Sequence, residues 1–129
     1  MNRFKPLFVV FALCHSLMSA QAGDYRKLHF DAIVVDTHND VVQRMLNGED
    51  ISVRTRHGHS DLPRFKEGGL DVELFSLWVP PEKKSRSYFD QTNEEIDLID
   101  SFVRRNAENV GFAHTASDIE SLVTRGKFV

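Results

Sequence analysis

The run Ala32-Ile33-Val34-Val35 is apolar at every position and ends at once in Asp36-Thr37-His38-Asn39-Asp40. A strand without alternation needs cover on both faces, which a parallel sheet flanked by helices provides and a half-wet antiparallel sheet does not. The chain then turns helical. Val41, Val42, Met45 and Leu46 keep helix spacing until Gly48 stops them. One short stretch thus predicts a βα unit with five polar residues at its corner.

The remaining elements repeat that order. The stretch from Glu49 to His59 is polar and loop-like, and Ser60 or Asp61 can cap a short helix that has Pro63 in its first turn and Gly68-Gly69 at its end. Leu70 to Val79, rich in aromatic and branched residues and closed by Pro80-Pro81, predicts a second strand. A polar loop containing Glu82-Lys83-Lys84-Ser85-Arg86 follows. An amphipathic helix is expected from about Asn93 to Asn109, with Ile96, Ile99, Phe102, Val103 and Val110 on one stripe. Ser117-Asp118-Ile119-Glu120 predicts a capping box opening a helix that Gly126 closes, and Lys127-Phe128-Val129 begins a third strand.

Strands separated by helices argue for α/β architecture with a parallel sheet. A closed (β/α)8 barrel takes roughly 250 residues. The expectation is therefore the N-terminal part of a TIM-like (β/α)8 barrel, about two βα units plus the start of a third strand. Residues 23–129 alone are then expected to be inactive and only partly ordered, with open strand edges free for unwanted pairing.

The first 22 residues read as a secretory signal. Arg3 and Lys5 precede an apolar run from Leu7 to Leu17, and Ser19-Ala20-Gln21-Ala22 places small residues where a signal peptidase cuts. The alternative of an uncleaved anchor fits less well, because the run falls short of the ~20 residues that span a bilayer. Cys14 follows Leu13, which is bulkier than a lipoprotein site prefers, so Cys14 leaves with the signal. The expected location is periplasmic or extracellular, with membrane association left open and no integral span in the mature chain.

Loss of Arg3 and Lys5 makes the mature chain more acidic than the −3 of the whole. An exported chain without cysteine has no disulfide framework, so a packed core or a bound metal must stabilise it. Basic residues are scattered, which excludes a nucleic-acid footprint.

The polar corner carries the chemistry. In parallel α/β folds the C-terminal strand ends hold the functional groups, and His38 and Asp40 are expected just past such an end. Residues two apart in extended chain point the same way, so the imidazole and the carboxylate converge. Together they form a partial ligand set for zinc. Asp36 and Asn39 can orient those ligands from behind. The plainer alternative has Asp40 capping the following helix and His38 satisfying a backbone carbonyl.

Other candidates favour structural roles. His57, His59 and Asp61 form a second histidine–carboxylate pattern, but it precedes a helix instead of ending a strand. His29 and His114 stand alone in polar surroundings. Glu73, within a strand, can line the interior, with a polar core pairing the better reading, and packing is the better reading for Trp78. There is no Ser-His-Asp order, nucleotide-binding glycine loop or Cys-x-x-Cys.

The segment Val34-Val35-Asp36-Thr37-His38-Asn39-Asp40, followed some twenty residues on by the run from His59 through Pro80, resembles the membrane (renal-type) dipeptidases, zinc enzymes of the amidohydrolase superfamily. The likeness runs from about Ile33 to Val129, through both motifs in order and on to the Asp118–Val129 ending. It implies a binuclear zinc site in which His38 and Asp40 bind one Zn2+ ion. The family's bridging glutamate and two further histidines fall beyond Val129. One departure is visible: the family often has Leu-Pro after its Asn-Asp, where this chain has Val41-Val42.

The resulting expectation is an exported zinc-dependent dipeptidase that hydrolyses a dipeptide substrate by a metal-activated hydroxide, with only the first-strand ligands in this stretch. A homodimer is the assembly considered. Two alternatives stand beside it: a related amidohydrolase acting on another amide or lactam, and a noncatalytic exported binding protein.

Overall fold

A computed structural model describes residues 25–81 and 86–129. The signal-peptide expectation and most of the 82–86 loop lie outside those residues. The chain divides into two compact units, Met1–Ala32 and Ile33–Val129. In the first, residues 25–31 are helical, with the Ala32 N–H donating to the Leu28 carbonyl at 3.1 Å. Ala32 therefore closes a helical turn, where the sequence predicts a strand start.

The second unit holds a mixed set of helices and strands in the order β1 (Val35–Asn39), α1 (Val42–Leu46), α2 (Leu62–Glu67), β2 (Val72–Phe75), α3 (Tyr88–Arg105) and α4 (Ala116–Thr124). The two strands pair in parallel, Val35 with Val72, Asp36 with Glu73 and Asn39 with Phe75. Two further segments lie beyond β2, outside this two-stranded sheet. The Val129 N–H donates to the Asp71 carbonyl and the Glu73 N–H to the Val129 carbonyl, both at 2.9 Å. On its other side Phe128 bridges Val110 in parallel. Lys127-Phe128-Val129, where a third strand is expected, forms no strand among the described residues and makes these contacts beside β2 and the Val110 segment.

Several boundaries differ from the sequence expectation. β1 lies three residues later than the apolar run suggests, because its register is set by pairing with β2 and not by its own hydrophobicity. His38 consequently falls inside the strand, and only Asp40 lies beyond its end. Ile33 and Val35 are 44% and 46% exposed, so the expected cover on both faces is absent among the described residues. β2 is shorter than Leu70–Val79: after Ser76 donates to the Asn39 carbonyl at 2.9 Å, β1 has ended and offers no further partner.

The helices follow their caps. Asp61 accepts from the Arg64 N–H at 2.9 Å and opens α2, with Pro63 in the first turn. α3 starts five residues before Asn93, because Ser87 Oγ accepts from the Asp90 N–H at 3.0 Å and satisfies the first turn ahead of the apolar stripe. It ends at Arg105, and Val110 leaves the stripe to bridge Phe128. Phe102 is buried while Ile96 is exposed. α4 is opened by Thr115 with Asp118, not by Ser117: Asp118 N donates to Thr115 Oγ1, and Thr115 N to the Asp118 carboxylate.

The core gathers Val41, Met45, Ile51, Leu62, Phe65, Phe102, Val110 and Phe128. The Phe65 and Phe128 rings stack 5.1 Å apart, tying α2 to the last residues of the chain. Val42 and Met45 turn the buried face of α1 inward. That packing fixes the β1–α1 corner against the rest of the unit. No helix among the described residues is long and apolar enough to cross a membrane.

Candidate metal centre

The corner is built by β1 pairing one residue out of step. From Asp36 to Asn39 the first strand advances three residues while β2 advances two, from Glu73 to Phe75. Such a bulge re-aims the side chains it contains, and His38 sits in it. The Asp36 carboxylate accepts from the His38 backbone N–H at 3.2 Å. His38 Nε2 lies 3.3 Å from Asp40 Oδ1, with the two side chains 70% and 61% exposed.

Asp40 is free for that contact because it does not cap α1. The N-cap residue is Val41, and no side chain makes a cap hydrogen bond there. The capping alternative for Asp40 is thereby set aside. Asp36 and Asn39 hold the backbone on either side of His38, and neither hydrogen-bonds the imidazole among the described residues. Asn39 is the more heavily engaged. Its Oδ1 accepts from the Val41 N–H at 3.0 Å, and its Nδ2 donates to Ser60 Oγ at 3.2 Å and Glu73 Oε2 at 2.9 Å.

Glu73 is the buried member of the group, 8% exposed, and among the described residues its Oε1 has no hydrogen-bond partner. Burial, reinforced by the Asp36 charge beside it, pushes its carboxyl up to about 7, against the pull of the Asn39 hydrogen bond. Sequence shows that a carboxylate on β2 can face inward, but not that it meets the first strand's polar corner. That meeting depends on the bulge.

In the second histidine–carboxylate pattern the carboxylate is engaged in structure. Asp61 is fully buried and accepts from the Thr55 N–H at 3.1 Å, Thr55 Oγ1 at 3.0 Å and the Arg64 N–H, besides pairing with the Arg64 guanidinium. His57 and His59 are exposed, as is His114. Trp78 departs from its packing expectation: it is 52% exposed beyond the end of β2, with its carbonyl accepting from Gln43 Nε2.

As a metal centre this arrangement supplies two donors of the right types, an imidazole and a carboxylate, in mutual reach. No group of three or more His, Cys, Asp or Glu side chains that could hold a metal ion occurs among the described residues.

Comparison with known proteins agrees with the family resemblance. The family model for membrane dipeptidase, peptidase family M19, matches residues 23–129. The chain is also similar to dipeptidase verJ of Clonostachys rogersoniana, 25% identical over 118 residues that cover 78% of this chain and 30% of the relative. It therefore spans about 30% of that relative's length.

Proposed function

From the premise that this chain belongs to the membrane dipeptidase family, we propose that it carries the first-strand part of the site of a zinc-dependent dipeptidase. The observation that carries the reading is the His38–Asp40 pair, 3.3 Å apart and solvent-facing at the C-terminal end of a parallel strand. Both groups fit Zn2+, and both are spared from helix capping and from the core. His38 and Asp40 would hold one ion of a binuclear site. When bound, zinc supplies Lewis acidity toward the scissile carbonyl and toward water.

The chain's own residues prepare the corner. Asp36 anchors the backbone of His38, Asn39 pins the turn into α1, and the buried Glu73 braces Asn39 from the neighbouring strand. The overall reaction adds water across a peptide bond, leaving a carboxylate and an amine. Within this reading the parallel βα order is the beginning of a TIM-like barrel whose strand ends face the substrate.

Export belongs to the same proposal. The match to the family begins at residue 23, immediately after the Ala20-Gln21-Ala22 signature, which supports a leader ahead of the peptidase portion. The deciding experiment combines metal analysis of the complete polypeptide with a panel of dipeptides and cyclic amides. Zinc-dependent dipeptide cleavage is expected. Cleavage of cyclic amides alone would move the assignment to another amidohydrolase, and zinc-independent turnover would overturn it.

A further inference from the structure

We infer that Glu73 is a positioning residue for the His38–Asp40 pair, acting through the Asn39 carboxamide. The inference rests on the metal reading of that pair and adds what holds it in place. Asn39 lies between the two residues in sequence, and its amide is engaged at both ends: Nδ2 donates to Glu73 Oε2 and Ser60 Oγ, and Oδ1 accepts from the Val41 N–H. The Val41 N–H, which can only donate, fixes which way the amide faces, because a flipped amide would set its NH2 group against that donor. In that orientation Glu73 anchors the Nδ2 end of the side chain that closes the β1–α1 corner.

The bulge explains why this matters. Register is lost between Asp36 and Asn39, and the extra residue leaves His38 without the regular ladder that fixes a strand side chain. The Asn39–Glu73 bond runs from Asn39, where pairing resumes opposite Phe75, back to Glu73, the partner of Asp36 ahead of the bulge, so it ties the two ends of the bulge together. A buried carboxyl is an expensive brace, since burial of a polar group costs free energy unless it is well bonded. An apolar side chain would serve packing alone better. Its presence beside the corner is accounted for by what it holds.

The test uses the complete polypeptide as wild type, Glu73→Ala, Glu73→Gln, Asn39→Ala and the Glu73→Ala/Asn39→Ala double variant. Zinc affinity is read by chelator competition, folding by circular dichroism, and kcat and KM on a dipeptide. Glu73→Ala is expected to weaken zinc binding roughly 10- to 100-fold and to lower kcat more than it raises KM. Glu73→Gln keeps an oxygen to accept from Asn39 and should stay within about threefold of wild type, and the double variant should lose no more than Asn39→Ala alone. Unchanged zinc affinity in folded Glu73→Ala, equal damage from Glu73→Gln, or additive losses would overturn the inference. If Glu73→Ala does not fold, Asn39→Ala and Glu73→Gln decide: loss in the first with retention in the second supports it, and equal affinities refute it. A wild type that binds zinc but cleaves no dipeptide removes only the substrate assignment, whereas one that binds no zinc removes the metal reading and this inference together.

Discussion

Thr55 donates twice to Asp61, through its backbone N–H at 3.1 Å and its hydroxyl at 3.0 Å, inside a pocket where the Asp61 side chain is fully buried. The same carboxylate caps α2 and pairs with Arg64, so one aspartate ties the 55–61 loop to the helix that follows it. A residue that reads in sequence as half of a second metal motif is spent on structure.

Asp61→Ala should therefore destabilise the protein by about 3 kcal/mol or more, because it removes a helix cap and leaves buried donors and a cation without their acceptor. Chemical denaturation measures the loss. Zinc bound per folded molecule should not change, and a selective loss of zinc in folded Asp61→Ala would assign this residue to the metal site instead.

The two proposed ligands should behave oppositely. His38→Ala and Asp40→Ala in the complete polypeptide should each abolish zinc retention and dipeptide cleavage while shifting stability by no more than about 0.5 kcal/mol in the metal-free form, since both side chains are exposed. Metal analysis beside thermal unfolding checks this. Wild-type zinc content in both variants would refute their role.

Glu73 sets a pH dependence. Its carboxyl titrates near 7 in the folded chain and near 4.5 when unfolded. Between those values the folded state holds a proton that the unfolded state has released, so stability is greatest below about pH 4.5 as far as this group is concerned and declines as pH rises to about 7. The full decline is of the order of 3 kcal/mol. Denaturant unfolding of metal-free protein across this range should show the slope in wild type and a flatter profile in Glu73→Gln. Asp36→Asn should move the midpoint of the slope downward, because the Asp36 charge is one of the two causes of the rise.

Gly58 makes room for Arg44. A Cβ there would stand 2.4 Å from Arg44 Nη1, and the backbone has φ +72°. Arg44 bonds the His57 carbonyl, Thr55 Oγ1 and Glu49 from that position. Gly58→Ala should cost about 1–2 kcal/mol through the strained backbone and the displaced guanidinium. Thermal unfolding tests this, and a neutral substitution would show that the loop repacks freely.

Export predicts a new terminus. If the leader is cut after Ala22, N-terminal sequencing of the secreted protein should begin at Gly23. A retained Met1 would refute cleavage.

What the sequence determined by itself are the features coded at short range. Asp61 followed by Pro63 writes the start of α2, and Gly48, Gly69 and Gly126, all with positive φ, end helices where a side chain would be strained. His38 and Asp40 stand two residues apart, a spacing that an extended backbone brings to one side. The alternation of strand and helix, and with it the parallel sheet, follows from periodicity over neighbouring residues. Only the tertiary structure decided which residues of Ala32–Asn39 form β1, because pairing with β2 sets the register and places the bulge at His38. It also decided that Asp61 is buried and that Glu73 meets Asn39 across the strands. Burial and register arise between segments tens of residues apart, where the energy of contact and desolvation outweighs local preference, and no spacing along the chain records them.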